Sequence, residues 1–253
     1  MTGRVAAFIY GLASYLIFSA SFAYTPGFLG DFLVPKTIDS GPEGPLAQAI
    51  LIDTLLLGAF AVQHSVMARP AFKRWWTRII PQSCERSTYV LIASLLQVLI
   101  FWQWRPIATT IWHFEGSAAI LFNGLFWLGL VIALASTFQI DHFELFGLRQ
   151  VVDAMRGAAD RIQAFRTPLL YRIVRHPLMS GLLLAFWATA HMTAGHLLFA
   201  ALSTAYVLVG VRFEENDLVA TFGAHYERYR QRVPMLMPRL FGGSSVPSET
   251  RHG

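Results

Sequence analysis

Charge is what this sequence has least of. Only 14% of its 253 residues are Asp, Glu, Lys or Arg, against roughly a quarter in soluble proteins, while 55% are hydrophobic. That balance excludes a water-soluble globular domain, and the apolar excess has to face lipid. Cysteine is nearly absent. Cys84 stands alone, so neither an intramolecular disulfide framework nor a multi-cysteine zinc or iron–sulfur site can be assembled. Lysine is scarce too: Lys36 and Lys73 are its two representatives among 20 basic residues, an arginine-heavy usage that fits a GC-rich bacterial genome.

What is present is long uncharged sequence. Six apolar stretches span about residues 5–24, 46–67, 87–104, 118–140, 178–191 and 195–211. The first four are long enough for helices crossing a hydrocarbon core, which needs roughly 17 to 25 residues. The last two are short and meet at Thr193, Ala194 and Gly195, the pattern of a tight helical hairpin. The first runs into Pro26 and Gly27 without a small-residue cleavage site, so it reads as a retained helix rather than a signal peptide. The expected architecture is an all-α integral membrane bundle of five to six transmembrane helices. It occupies residues 1–241 as one domain: N-terminal helices over 1–140, a connector over 141–177, and a C-terminal helical hairpin with its tail over 178–241. Residues 242–253, rich in Gly, Ser and Pro, read as a disordered tail.

The basic residues alternate between loops. Five fall between the second and third stretches, six in 141–177 and six after 211, whereas the intervening loops hold Lys36, Arg105 or none. The positive-inside rule therefore puts both termini and the basic loops in the cytoplasm, with the bacterial inner membrane as the expected location. The net charge of +5 is accounted for by this orientation, and no nucleic-acid partner is expected. Within 141–177, Leu148, Val151, Val152, Met155, Ile162 and Phe165 recur at helical spacing opposite Arg149, Arg156, Asp160, Arg161 and Arg166, as in a helix lying in the interface.

Ionisable groups at bilayer depth cost on the order of 2.5 to 3.5 kcal/mol, which makes them functional candidates. The second stretch holds Asp53, then Gln63, His64 and Ser65 near its basic end. Asp53 and His64 share a helix face but lie about 16 Å apart along the axis at ~1.5 Å per residue, so they form no direct dyad. Asp141-His142-Phe143-Glu144 closes the fourth stretch. Its ligand types could suit a metal, but neighbours on a helix do not converge, and no metal site is expected.

The chemically densest pattern is bipartite. Tyr171-Arg172-Ile173-Val174-Arg175-His176-Pro177-Leu178 precedes the hairpin, and Arg212-Phe213-Glu214-Glu215 ends its return leg. Pro177 suits the first position of a helix, whose open amides beside Arg175 and His176 make an anion receptor. A hairpin brings its ends together, so Arg175 and His176 should face Glu214 and Glu215 in a cytoplasmic pocket with a basic and an acidic edge. S-adenosylmethionine, with an amino-acid end, a ribose and a sulfonium, matches such a pocket. NADPH would require several arginines and no paired carboxylates.

The residues Arg175-His176-Pro177-x-Met179-x-Gly181, Glu214-Glu215 and Phe222-Gly223-x-x-Tyr226-x-x-Tyr229-x-x-x-Val233 resemble the C-terminal signature of the isoprenylcysteine carboxyl methyltransferase superfamily, with Met179 where Tyr is usual. Four further stretches are similar to its narrower branch of bacterial methanethiol S-methyltransferases: Val34 to Asp39, Gln63 to Arg69, Glu85 to Val90 and Asp141 to Gly147. The resemblance implies methylation of methanethiol to dimethyl sulfide by S-adenosylmethionine, which becomes S-adenosylhomocysteine. It implies cofactor contacts at Arg175, His176, Pro177, Leu178, Glu214, Glu215 and Tyr226. His64 is the candidate base or thiol orienter, with Gln63, Tyr171 and Asp53 as supporting polar groups. Trp75, Trp76, Trp102 and Trp104 are candidates for an aromatic wall or for an interfacial belt. A lipid-borne or prenylated carboxylate as acceptor, and a membrane NADPH-dependent reductase, are the alternative readings.

Overall fold

The computed structural model describes residues 2–158 and 165–239. In chain order its elements are α1 (Thr2–Gly30), α2 (Leu46–Ala68), α3 (Pro70–Trp76), α4 (Gln82–Gln103), β1 (Thr110–His113), α5 (Gly116–Ile140), α6 (His142–Leu145), α7 (Leu148–Arg156), α8 (Leu169–Ile173), α9 (Pro177–Trp187), β2 (His191–Thr193), α10 (Ala194–Phe222) and α11 (Ala224–Arg232). Helices α1, α2, α4, α5 and α10 are long and apolar enough to cross a membrane. Their outer faces expose Ile9, Leu55, Val62, Ile120 and Val131, side chains that only lipid would solvate well. The protein is an all-α integral membrane protein.

Proline and glycine set the element boundaries. Pro70 follows the extended Arg69 and opens α3, and Pro177 opens α9 in the same way, each at a position where its missing N–H costs nothing. Gly147 and Gly157 flank α7 with positive φ. A Cβ at Gly147 would lie 2.7 Å from the Ser87 amide nitrogen, so this turn is seated directly on the start of α4.

Helix α9 is held by a seam of small residues. A Cβ on Gly129 would fall 2.6 Å from the Gly181 carbonyl oxygen, and one on Gly181 would fall 2.5 Å from that of Gly129; Ala133 and Ala185 continue the approach. Where lipid removes the hydrophobic drive between helices, close backbone contact through small side chains supplies the packing. The seam fixes α9 against α5, and with it the position of His176 at the N-cap of α9.

The hairpin legs are unequal. Helix α9 stops at Trp187, so its 11 residues cover only about 16 Å. The turn after it is instead built as β2, paired antiparallel with β1 (His113 opposite His191, Thr110 opposite Thr193). Strands this short carry no alternation pattern to read. Helix α10 runs 29 residues, about 44 Å, so its last turns extend past a hydrocarbon core of roughly 30 Å. Glu214 and Glu215 therefore stand inside a continuous helix rather than at its end.

Contacts divide the ends of the bundle into two faces. Arg4, Pro81, Ser83 and Ala154 meet on one face, which carries the basic segments. On the other, Thr193 Oγ1 donates to Asp39 at 2.6 Å, and Phe28, Ile38, Trp104, Phe186 and Ala200 form the main buried core. Within the anticipated interfacial segment, α7 buries Val151 completely against Gly11 of α1, and Phe165 packs on Phe222, Tyr226 and Tyr229. Asp160, Arg161 and Ile162 of that segment, and the tail 242–253, lie outside the described residues.

Candidate active site

The two halves of the bipartite motif meet in the fold. Arg175 Nε donates to Glu215 Oε1 at 2.7 Å, and His176 Nε2 lies 3.1 Å from the same oxygen. Glu214 Oε2 stands 3.6 Å from His176 Nδ1. The Arg175 and Glu215 side chains are each only 10% exposed, whereas that of Glu214 is 51% exposed. The two adjacent carboxylates are thus divided in use: Glu215 closes an internal ion pair, and Glu214 faces outward.

Arg175 is more committed than its sequence setting implied. Its Nη1 donates to the Arg230 carbonyl at 2.9 Å and to that of Val233 at 2.5 Å. A strap after α11 completes the attachment. The amides of Arg175 and His176 donate to the carbonyls of Pro234 and Met235, and Ser180 Oγ donates to that of Leu236 at 2.7 Å. The guanidinium binds protein acceptors where a ligand carboxylate was expected, because the chain doubles back after Gly223, at φ 55°.

Three phenols accompany this cluster. Tyr226 is buried and its hydroxyl has no hydrogen-bond partner among the described residues. Tyr229 donates to the Tyr171 carbonyl at 2.5 Å. Burial, reinforced by the Glu214 charge near Tyr171 and by Glu215 near Tyr226, where Arg175 opposes it, pushes both hydroxyls above the usual phenol range; Tyr229 is pushed up to about 12. All three remain protonated donors at neutral pH. Pro177 and Leu178 form the adjoining first turn of α9.

A second cluster lies where α2, α4 and α10 converge on the same face. The His64 imidazole stacks on Phe60 at 5.2 Å, meets Tyr89 at 4.8 Å and takes Tyr206 edge-on at 6.2 Å. Its Nδ1 is shielded from solvent and has no partner among the described residues, as is Oε1 of Gln63. Gln63 Nε2 points to the Met67 sulfur at 3.1 Å and to the Tyr89 carbonyl at 3.4 Å. Arg69 ties α2 to α10, pairing with Asp217 at 3.1 Å and covering Phe213 at 5.2 Å. Glu214 of the first cluster and Tyr206 of the second lie on the same helix, α10.

Asp53 stands apart. It is fully buried near the opposite end of α2, where Oδ1 accepts from the Arg105 amide at 2.9 Å, so it anchors the loop after α4 and does not reach His64. The tryptophans are likewise dispersed. Trp102 and Trp104 lie at the far end of α4, the former 72% exposed and the latter buried, and Trp75 and Trp76 pack on Phe72 in α3. The rings around His64 come from Phe60, Tyr89 and Tyr206 instead.

The Asp141–Glu144 motif is a packed corner. His142 is buried with Nε2 2.9 Å from the Tyr15 hydroxyl, Nδ1 2.8 Å from Thr137 Oγ1 and its ring stacked on Phe138 at 4.3 Å. Asp141 accepts from the Glu144 amide and pairs with Arg149 at 3.0 Å. Arg86 Nε and Ser87 Oγ donate to the carbonyls of Leu145 and Gly147, so two of the stretches that carried the resemblance brace each other. Among the described residues no group of three His, Cys, Asp or Glu is disposed to hold a metal. Two surface clefts, of about 330 Å³ beside Arg4 and about 210 Å³ beside Asp39 and His191, touch neither His64 nor Glu214.

Burial holds the His142 imidazole below its ordinary 6.5, with Asp141 opposing. The folded state therefore binds fewer protons than the unfolded one below 6.5, and the stability present above that value is lost as pH falls. Thermal unfolding midpoints in detergent should drop between about pH 7.5 and 5.5, and His142→Gln should flatten that dependence.

With this geometry in view, the NnrU protein family matches residues 51–239, from the first third of α2 to the strap. The chain belongs to the NnrU protein family. It is 60% identical over 241 residues to methanethiol S-methyltransferase 2 of Bradyrhizobium diazoefficiens, covering 95% of this chain and 93% of that protein. It is 54% identical over 236 residues to methanethiol S-methyltransferase of Mycobacterium tuberculosis, covering 93% and 97%. Nurim of Xenopus laevis is more distant, at 31% over 218 residues, 80% of this chain and 74% of that protein. No solved structure matches. In this NnrU-family protein, sequence reasoning missed Phe60, Tyr89, Tyr206 and the Pro234–Leu236 strap. Tyr206 sits in an unbroken apolar run, and nothing in its spacing marks it; the phenylalanine one turn before His64 was the readable signal.

Proposed function

We propose that this protein is a membrane-embedded S-methyltransferase that converts methanethiol to dimethyl sulfide with S-adenosylmethionine as methyl donor. The observation that carries the reading is an unpartnered, shielded imidazole nitrogen on His64 of α2, on a helix that Arg69 ties to α10 through Asp217, the helix whose Glu214 stands 3.6 Å from His176. The names of the relatives, matched over nearly their full length, support the thiol as acceptor.

The residues suit the donor. The outward carboxylate of Glu214 fits an ammonium group or ribose hydroxyls, and the free Tyr226 hydroxyl fits a carboxylate. His176, Pro177, Leu178 and Tyr171 form the surrounding wall. Arg175 and Glu215 hold that wall together from inside. S-adenosylmethionine, when bound, supplies an electrophilic methyl group on a sulfonium that leaves as a neutral thioether. The thiolate is the nucleophile, and His64 Nδ1 takes the thiol proton within a site whose rings exclude water. Gln63 orients the same end of α2. The termini and the basic face lie in the cytoplasm, on the inner membrane of a bacterium, in keeping with the basic loops.

The test is direct. Purified protein in detergent, given S-adenosylmethionine and methanethiol, should release dimethyl sulfide measured in the headspace by gas chromatography. Cofactor binding by calorimetry without any product would overturn the thiol assignment.

A further inference from the structure

The rings around His64 come one from each of three helices. Phe60 lies one turn before His64 on α2, the spacing that puts side chains face to face, and the two rings are near parallel, 18° apart. Tyr89 of α4 closes a second side at 47°. Tyr206 of α10 stands at 87° to the imidazole and 83° to Phe60. Tyr89 is braced: the Arg86 guanidinium covers its ring at 5.0 Å, and its backbone carbonyl accepts from Gln63 Nε2 at 3.4 Å. Stiff aromatic rings packed against one another cannot swing aside as a longer aliphatic chain would.

Within this box, Nδ1 of His64 is shielded and without a partner among the described residues. The occupant it calls for has one weak hydrogen-bond donor, a polarizable atom that packs well on aromatic faces, and almost no further bulk. A short alkyl thiol meets all three requirements. We infer that Phe60, Tyr89 and Tyr206 form an aromatic cage that sets acceptor specificity, admitting a one-carbon thiol to His64 Nδ1 and excluding longer alkyl thiols. This inference rests on the methyltransferase reading and names its specificity-determining residues.

Walls in van der Waals contact discriminate by chain length, and one extra methylene in such a pocket changes kcat/KM by roughly 10- to 200-fold. The experiment measures kcat/KM for methanethiol and for ethanethiol on the same preparation, with S-adenosylmethionine saturating, for wild-type protein, Phe60→Ala, Tyr206→Leu and Tyr206→Phe. Because each ratio is taken on one preparation, the fraction of folded enzyme cancels. Phe60→Ala and Tyr206→Leu should each raise the ethanethiol-to-methanethiol ratio about tenfold or more, while Tyr206→Phe, which keeps the ring, should leave the ratio near wild type. Ratios unmoved in both Phe60→Ala and Tyr206→Leu overturn the cage. Wild-type protein that methylates neither thiol overturns instead the reading on which the cage rests.

Discussion

Replacing His64 with alanine should lower kcat for dimethyl sulfide formation by about 10²- to 10⁴-fold, the range general-base removal produces, with little change in S-adenosylmethionine affinity. The split follows from the geometry. His64 lies among Phe60, Tyr89 and Tyr206, whereas the groups assigned to the cofactor gather around Glu214 and Tyr226. Deleting the imidazole removes the acceptor for the thiol proton and leaves the ion pair of Arg175 with Glu215 untouched. The measurement is steady-state headspace analysis together with calorimetric titration of the cofactor. Added imidazole should restore part of the rate by occupying the vacated volume. An unchanged kcat would remove His64 from the chemistry, and a cofactor affinity lost in parallel would recast it as part of the donor site.

The second large effect is on stability. Glu215→Ala strips the partner from Arg175, whose side chain is 10% exposed, and leaves a buried cation facing only backbone carbonyls and His176. Breaking a buried pair in this way costs about 3 to 5 kcal/mol, which lowers a thermal midpoint by roughly 10 °C in a chain of this size. Activity should fall with it, because Glu215 also meets His176 at 3.1 Å, and the backbone of Arg175 and His176 carries the strap of Pro234 and Met235. Glu215→Gln keeps an acceptor for Arg175 Nε and should recover much of the midpoint. The double variant Arg175→Met, Glu215→Leu should regain stability, since removing both charges avoids the unpaired one. Single and double variants that unfold alike would mean that the pair contributes only as packing volume. Glu214→Gln, by contrast, should leave the midpoint close to wild type, its side chain being half exposed.

Much of this site was legible before any fold was known, and the legible part has a common cause. His64, Arg175, His176, Glu214 and Glu215 are ionisable groups bordering long apolar runs, where their cost alone marks them. The hairpin logic that brings Arg175 and His176 to the paired carboxylates needs only the order of the helices. The division of labour inside that cluster is another matter. Glu214 and Glu215 are neighbours in sequence, and only the rotation of α10 against α9 turns one inward and the other out. Likewise Arg175 reads as a ligand group, and only the fold shows its guanidinium donating to Glu215 and to the carbonyls of Arg230 and Val233. Asp53 carried the same signal of cost as His64, yet the fold spends it on the Arg105 amide at the far end of α2. Phe60, Tyr89 and Tyr206 are invisible as a set, since apolar and aromatic residues are ordinary in membrane helices and their convergence depends on three helices that are far apart in the chain.

By itself, the sequence determined the membrane class, four of the five long helices, the alternation of basic-rich and basic-poor loops and the identity of the costly polar groups, because each of these follows from composition and period along one chain. Tertiary structure alone decided which carboxylate is buried, which rings enclose His64, how short α9 is, and that the last residues before 240 close back over the hairpin. Those outcomes depend on backbone approach at Gly129 and Gly181 and on the angle at which packed helices meet, quantities that are properties of pairs of helices and have no expression in a single one.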